Sequence, residues 1–169
     1  MRYGKVWTCV ALAVVACTSG DTIVGTSSFD ALDESLPAGV HAHLVTEPYA
    51  AGRQTVYVVM QAREIDFSSY QGVVEFDQGV FRLVSVSAPK TDTHFFNQSE
   101  TENGHLPIAG FATDGFDEPI SITLSFATPR AFKTGDIYLK LDVVGTSVGA
   151  EVPPALIYLR RELVPGSGG

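Results

Sequence analysis

Apolar and polar residues alternate in short runs along most of this chain. A regular example is "ISITLSF" at residues 120–126, in which every second residue is large and apolar and those between are serine or threonine. A period of two places successive side chains on opposite faces of a β-strand. No long stretch repeats apolar residues at i, i+3, i+4 and i+7, so we expect helices to be absent or short.

The alternating runs predict strands separated by turn residues. In the second run, "TVYVVMQARE", Val56, Val58 and Met60 share one face. Several short strands with turns between them are typical of two packed antiparallel sheets, so the pattern predicts an all-β sandwich of eight or nine strands. The predicted strands are residues 40–46, 55–64, 70–76, 80–87, 106–111, 120–126, 137–144 and 156–163.

A tight connection is expected between the third and fourth of these strands. The segment "DQG" at residues 77–79 separates them in a hairpin-like arrangement, in which Gly79 would take a positive φ. The carboxylate of Asp77 is expected to accept hydrogen bonds from N–H groups of this turn.

The first residues have the layout of a secretory signal. Two basic residues, Arg2 and Lys5, precede an apolar run of about half the roughly 20 residues that a membrane-spanning helix needs. The run ends in "VVAC" at residues 14–17, which resembles the lipobox of bacterial lipoproteins. The resemblance implies that Cys17 receives a diacylglycerol and becomes the first mature residue. Cleavage elsewhere, for instance after Ala16, would instead leave Cys17 as a free thiol.

This interpretation divides the chain into four parts. Residues 1–16 are a signal peptide, and residues 17–37, rich in Ser, Thr, Gly and Asp, are a flexible tether. Residues 38–164 form the β-sandwich, and residues 165–169 are a flexible tail. The protein is therefore expected to be exported and anchored by its N-terminal lipid, on a periplasmic or cell-surface face.

Charge and cysteine content exclude two classes of protein. Removing the signal leaves 9 of the 11 basic residues against 19 acidic ones, so the formal net charge changes from -8 to -10. Phosphate contacts depend on clustered Lys and Arg, so nucleic acid is not an expected partner. One cysteine in the mature chain cannot form an internal disulfide, so the fold must be stabilised by burial of its core.

The central part of the chain resembles a cohesin domain. The resemblance is carried by "TVYVVMQAREIDFSSYQGVVEFDQGVFRLVSV" at residues 55–86, with its Phe76-Asp77 pair, and by "GHLPIAGFA", "ISITLSFATP" and "GDIYLKLDVVG" further on. It covers roughly residues 40–151. Cohesins are nine-stranded jelly-roll sandwiches that act as binding modules, often for dockerin helices, and carbohydrate-binding modules belong to the same superfamily. The Asn and Asp that contact the dockerin in such members correspond to Ser69 and Gln71 here, so the charge is lost.

A long polar segment, residues 88–105, carries two adjacent aromatic residues, Phe95 and Phe96. Long loops in compact domains are usually functional or mobile. The alternative is that the segment is a covering strand, in which case alternation would turn only one of the two rings inward. The other ring, together with Ser69 and Gln71, is then the candidate for contact with a partner.

Catalytic and metal-binding patterns are weak. His41 and His43 would project from one strand face, which we interpret as solvated because a third zinc ligand is missing nearby. The acidic stretch at residues 113–119 does not match EF-hand spacing. No nucleophile elbow or phosphate loop is found. We therefore expect no enzyme, no cofactor and no metal.

Two functions are consistent with these features. The first is a lipid-anchored, non-catalytic module that binds a protein partner or a glycan through one sheet face and its adjoining loops. A glycan reader should present a planar row of exposed aromatics, and the tyrosines available are Tyr49, Tyr57, Tyr70, Tyr138 and Tyr158. The second is a structural accessory subunit on the outer face of a membrane protein complex.

Overall fold

Nine strands and two short 3-10 helices form the part of the chain that the computed structural model describes, residues 36–116 and 119–165, with side chains up to residue 160. The 3-10 helices are Gln98–Asn103 and Pro154–Leu156. The predicted signal peptide, Cys17 and nearly all of the predicted tether lie outside the described residues. The strands are β1 Gly39–Thr46, β2 Arg53–Arg63, β3 Ser69–Phe76, β4 Arg82–Ser87, β5 Thr93–Phe96, β6 His105–Phe111, β7 Ile120–Ala127, β8 Ile137–Gly145 and β9 Ile157–Pro165.

The strands form two sheets. The five-stranded sheet has the order β4-β7-β2-β1-β9, and the four-stranded sheet has the order β5-β6-β3-β8. Every neighbouring pair is antiparallel except β1 and β9, which run parallel. The predicted all-β, two-sheet sandwich is therefore confirmed, with nine strands.

Eight of the nine strands match predicted ones, with ends that differ by at most two residues. The ninth, β5, lies within residues 88–105 and pairs with β6. The segment was interpreted either as a functional or mobile loop or as a covering strand, and the structure shows that it contains a covering strand. Only four residues pair, which is too few for the alternation to stand out among the polar residues on either side.

The predicted hairpin between β3 and β4 is wrong. β3 lies between β6 and β8 in one sheet, whereas β4 pairs with β7 in the other, so residues 77–81 cross from sheet to sheet. The crossing buries Phe81 completely between the sheets. Gly79 does not adopt a positive φ. Asp77 does accept a bond from the turn, since its Oδ1 lies 2.9 Å from the Gly79 nitrogen.

The core lies between the two sheets and is filled by the inward faces of their strands. Val56, Val58 and Met60 of β2 are fully buried, as their alternation predicted. The ring of Phe132 contacts two other core rings. It stacks on Phe81, with centroids 3.9 Å apart, and it meets Phe126 edge-on. Burial of these rings and of the branched side chains stabilises a domain that has no disulfide among its described residues.

Candidate functional site

The outer face of the four-stranded sheet carries the candidate site. Residues paired across antiparallel strands lie on the same face, so the register of β5, β6, β3 and β8 arranges this surface in rows. Each row runs across the sheet from β5 or β6 to β8. The rows are Thr93, Phe111, Ser69 and Gly145; then Phe95, Ala109, Gln71 and Val143; then Pro107, Val73 and Lys140; and last His105, Glu75 and Tyr138.

Two phenylalanines dominate the first two rows. Phe95 of β5 and Phe111 of β6 are diagonal neighbours, with ring centroids 6.3 Å apart and planes inclined by 22°. Their side chains are 57% and 48% exposed, and Val143 on the far side of Gln71 is exposed as well. Large apolar side chains grouped on one sheet face are typical of an interaction surface, whereas single exposed ones are common on any protein.

Three of the four predicted contact residues lie together on this face. Ser69 is paired with Phe111, and Gln71 is paired with Ala109, which is also the partner of Phe95. Phe96 points the other way and packs against the hydrophobic core. Phe95 is thus the outward ring of the adjacent pair, and Phe96 is not available for contact.

Polar and charged groups border the apolar residues at the opposite end of the face. Lys140 Nζ lies 2.6 Å from Glu75 Oε1. Both side chains are partly solvated, so this ion pair contributes little to stability. Its charges, together with Ser69 and Gln71, can nevertheless determine the orientation of a docked partner.

Phe111 and Val143 are site residues that the sequence analysis did not select. The pattern for Phe111 was visible in "HLPIAGF", where Leu106 and Ile108 occupy the inward positions and Phe111 therefore falls on the outward ones. Val143 follows an irregularity in the β3–β8 pairing, and that irregularity shifts the alternation by one residue. A strand pattern alone does not reveal such a shift.

The two histidines of β1 do not form a solvated face, so that prediction is wrong for His41. Its ring is only 7% exposed, because Tyr158 of β9 stacks on it at 4.8 Å. Its Nε2 lies 2.8 Å from the Pro37 carbonyl oxygen. His43 is partly buried, and burial lowers its pKa, with Arg160 adding to the effect.

Within the described residues, no three His, Cys, Asp or Glu side chains are placed so that they could hold a metal ion. Two residues of the acidic stretch, Asp117 and Glu118, lie outside the described residues. No helix within residues 36–116 and 119–165 has both the length and the apolar character that a membrane span requires.

The tyrosines that a glycan site would need are dispersed. Tyr70 is buried in the core, Tyr138 lies on the outer face of the four-stranded sheet, and Tyr158 covers His41 in the other sheet. Tyr49 lies in the β1–β2 connection, with its hydroxyl 3.4 Å from the Thr128 carbonyl oxygen. Tyr57 lies on β2 in the five-stranded sheet, and its hydroxyl donates to Glu47 Oε1. The five tyrosines are thus divided between the core and the two sheets, so together they do not form one planar row.

Comparisons with known proteins find similarity in structure only. No protein-family model and no curated protein sequence matches this chain. A non-cellulosomal cohesin from the archaeon Archaeoglobus fulgidus superposes with a TM-score of 0.54 at 12% identity, over 73% of this chain and 86% of that one. The sixth cohesin of scaffoldin B from Acetivibrio cellulolyticus, solved in complex with a mutant Cel5 dockerin, gives 0.55 at 14% identity, over 72% and 94%. CaCohA2 from Clostridium acetobutylicum gives 0.54 at 16% identity, over 78% and 94%.

These identities establish the fold and not a shared activity. The two-sheet architecture, the nine strands and the extent of the superposition agree with the resemblance found in the sequence. The described part of this chain therefore has a cohesin-like fold.

Proposed function

We propose that this chain is an exported, lipid-anchored, non-catalytic module that binds a protein partner on the outer face of its four-stranded sheet. The observation that carries the proposal is the exposed pair of Phe95 and Phe111, bordered by Ser69 and Gln71. Exposed aromatic rings surrounded by polar groups are the usual anchors of protein interfaces.

The cohesin-like fold supports a protein as the partner. The cohesin of Acetivibrio cellulolyticus was solved with a dockerin bound, so this fold serves as a protein-binding module in that case. A dockerin-like helix pair is one candidate partner here. Ser69 and Gln71 offer a hydroxyl and an amide instead of a carboxylate, so the partner should present neutral hydrogen-bonding groups opposite them.

A glycan is the weaker candidate. Sugar-binding faces use rings laid out in one plane, whereas the exposed tyrosines belong to different parts of the sandwich. On the proposed face, the stacked rings of Phe95 and Phe111 lack a polar group that a sugar hydroxyl could meet, and the exposed Tyr138 lies in the row at the opposite end of the face.

The anchoring part of the proposal depends on Cys17. Two or three acyl chains attach a protein stably to a bilayer, whereas one chain holds it only marginally. The intact mass of the mature protein should include the lipid on Cys17, and Cys17→Ser should release the protein from the membrane fraction. A wild-type protein that carries no lipid and fractionates with soluble proteins would contradict this part.

The binding face is tested on the full, membrane-attached protein with a photo-crosslinking residue at position 95. The control is the same residue at position 84, because Val84 is 46% exposed but lies on β4 of the other sheet. We expect a discrete crosslinked protein from position 95 and none from position 84. Phe111→Ala should reduce the crosslink from position 95 by at least about fivefold, since a central aromatic anchor contributes more than about 1 kcal/mol.

The outcomes separate the alternatives. Equal crosslinking from both positions, or no effect of Phe111→Ala, would place the interface elsewhere. Co-purification of a membrane complex in fixed stoichiometry, unaffected by Phe111→Ala, would favour a structural accessory subunit.

A further inference from the structure

The inner side of β5 holds a polar contact that is unusual for a hydrophobic core. His94, next to Phe95 in the chain, points inward, and its Nδ1 lies 2.9 Å from the Tyr70 hydroxyl of β3. The imidazole also stacks on Phe116, with centroids 6.2 Å apart and planes inclined by 12°. β5 is therefore connected to the sheet interior directly behind the exposed Phe95.

The backbone of β6 makes room for this contact. Gly110 is the β6 partner of both Tyr70 and His94. A Cβ atom at this position would lie 2.5 Å from Tyr70 Cε1 and 2.8 Å from His94 Nδ1. Only glycine lets the phenol and the imidazole meet across the strand between them.

The second ring nitrogen of His94 has no partner. Among the described residues, Nε2 of His94 is the buried side-chain polar atom without a hydrogen bond. A neutral imidazole carries one N–H donor and one acceptor nitrogen, so whichever role Nδ1 takes, only one of the two lacks a partner. A protonated ring is charged and donates at both nitrogens, and of these only Nδ1 has an oxygen within reach, that of Tyr70. A buried donor without an acceptor destabilises the folded state, and more so when the group is charged.

β5 is the shortest of the described strands. It pairs through four residues with β6 alone and forms the edge of its sheet. Short edge elements open locally at much lower free energy than the rest of a fold.

We propose that the Tyr70–His94 contact holds β5 in place at neutral pH, and that protonation of His94 releases β5 and with it Phe95. The inference rests on the proposed function, since it describes how the binding face would respond to acid. His94 and Tyr70 are positioning residues, because they act through Phe95 and do not touch the partner.

The groups around His94 determine the direction of the response. Burial lowers the pKa of His94, and the charge of Asp92 just before β5 opposes this. Burial likewise raises the pKa of Tyr70, so the phenol stays neutral. The loop that carries Phe116 also contains Asp114, while Asp117 and Glu118 lie outside the described residues. Gly110 of β6, which lies against the ring, carries no titratable group.

Because the folded pKa of His94 is below that of an unfolded histidine, the unfolded form binds more protons once the pH falls below about 6.5. The local stability of β5 is thus fully present above that pH and decreases below it. If unfolding takes up one additional proton, protection can fall by at most tenfold per pH unit.

The test is amide hydrogen exchange of the full chain without any partner, from pH 7.5 to 5.0, expressed as protection factors. We expect protection of residues 93–96 to fall by up to about tenfold per pH unit below 6.5, while β2 and β7 stay protected. His94→Gln should remove this pH dependence, and Tyr70→Phe should lower protection of β5 already at pH 7.5. His105→Gln is the control, because His105 is an exposed histidine at the start of β6.

Three results would overturn the inference. These are protection of β5 that does not change with pH, a pH profile that survives in His94→Gln, or a loss of protection that is equal in all strands. Should His94→Gln fail to fold, an NMR titration of the wild-type protein still tests the inference. The His94 ring signal and the Phe95 amide signal must shift with the same midpoint, and different midpoints would contradict it.

The result of the hydrogen-exchange test does not depend on whether the proposed function is correct. Hydrogen exchange measures β5 whether or not a partner exists, so a failed crosslink from position 95 with acid-sensitive β5 would refute the binding face alone. A partner that binds equally well at pH 7.5 and 5.0, with β5 protection unchanged, would refute the acid response alone.

Discussion

Phe95 and Phe96 are neighbours in the chain, yet they lie on opposite faces of one sheet. Phe95 stacks with Phe111 in contact with solvent, and Phe96 packs against the core. The alternation of a β-strand places two chemically identical side chains in two environments, one in contact with solvent and one packed in the sandwich. Their substitutions should therefore lower the stability of the domain by different amounts.

Phe96→Ala should lower the free energy of unfolding by about 2 kcal/mol or more, because it removes packed apolar surface and leaves a cavity. Phe95→Ala should lower it by less than about 1 kcal/mol, since only the contact with Phe111 is lost. Urea denaturation of both variants measures the difference. Equal losses of stability would show that β5 does not separate the two rings as described.

Gln54 should be essential for stability although it is polar. It is 6% exposed, its Nε2 donates to the Glu47 carbonyl oxygen at 2.7 Å, and its Oε1 accepts from the Phe132 nitrogen at 2.7 Å. Gln54→Leu leaves both backbone groups without their partner and should cost about 2 kcal/mol or more in thermal or chemical unfolding.

Gln71→Leu is the matched control for Gln54, because Gln71 is exposed on β3. It should change the free energy of unfolding by less than about 0.5 kcal/mol. A similar loss for both variants would mean that the bonds of Gln54 do not account for its effect.

Two glycines with nearly the same φ should differ in their tolerance of alanine. Gly104 has φ +76° and a Cβ there would collide with the Phe76 carbonyl oxygen, whereas Gly149 has φ +78° and open space around it. Gly149→Ala should cost about 1 kcal/mol for the left-handed backbone alone. Gly104→Ala should cost at least about 1 kcal/mol more, because the β3 end must also move. Thermal unfolding of the two variants compares them, and equal costs would rule out the collision.

Asp136 should make the domain sensitive to strong acid. Its carboxylate accepts two bonds from Arg130, at 2.5 Å and 3.0 Å, and one from the Lys133 nitrogen at 2.7 Å. The bonds from Arg130 lower the pKa of Asp136, and the Lys133 N–H adds to this against an opposing effect of burial. The stability it contributes is present above about pH 4, the unfolded value, and is lost as the pH falls through the lower folded value.

The measurement for Asp136 is the free energy of unfolding between pH 4.5 and 2.5. Asp136→Asn should flatten this pH dependence, and Asp114→Asn, at an exposed aspartate, should not. An unchanged slope in Asp136→Asn would assign the acid sensitivity to other carboxylates.

The sequence by itself determined eight of the nine described strands and most of their inward faces. Alternation is a property of neighbouring residues, so "ISITLSF" was sufficient to define β7, and the run from Thr55 was sufficient to bury Val56, Val58 and Met60. The same local information predicted that only one of Phe95 and Phe96 faces inward.

The tertiary structure alone decided which strands share a sheet and which surfaces come together. β3 and β4 are consecutive in the chain but lie in different sheets, because β3 is already paired on both sides. His41 is buried by Tyr158, 117 positions later, and His94 meets Tyr70 only where Gly110 leaves room. Local alternation does not encode these pairings, because they depend on residues far apart in the chain that only the packing of both sheets brings into contact.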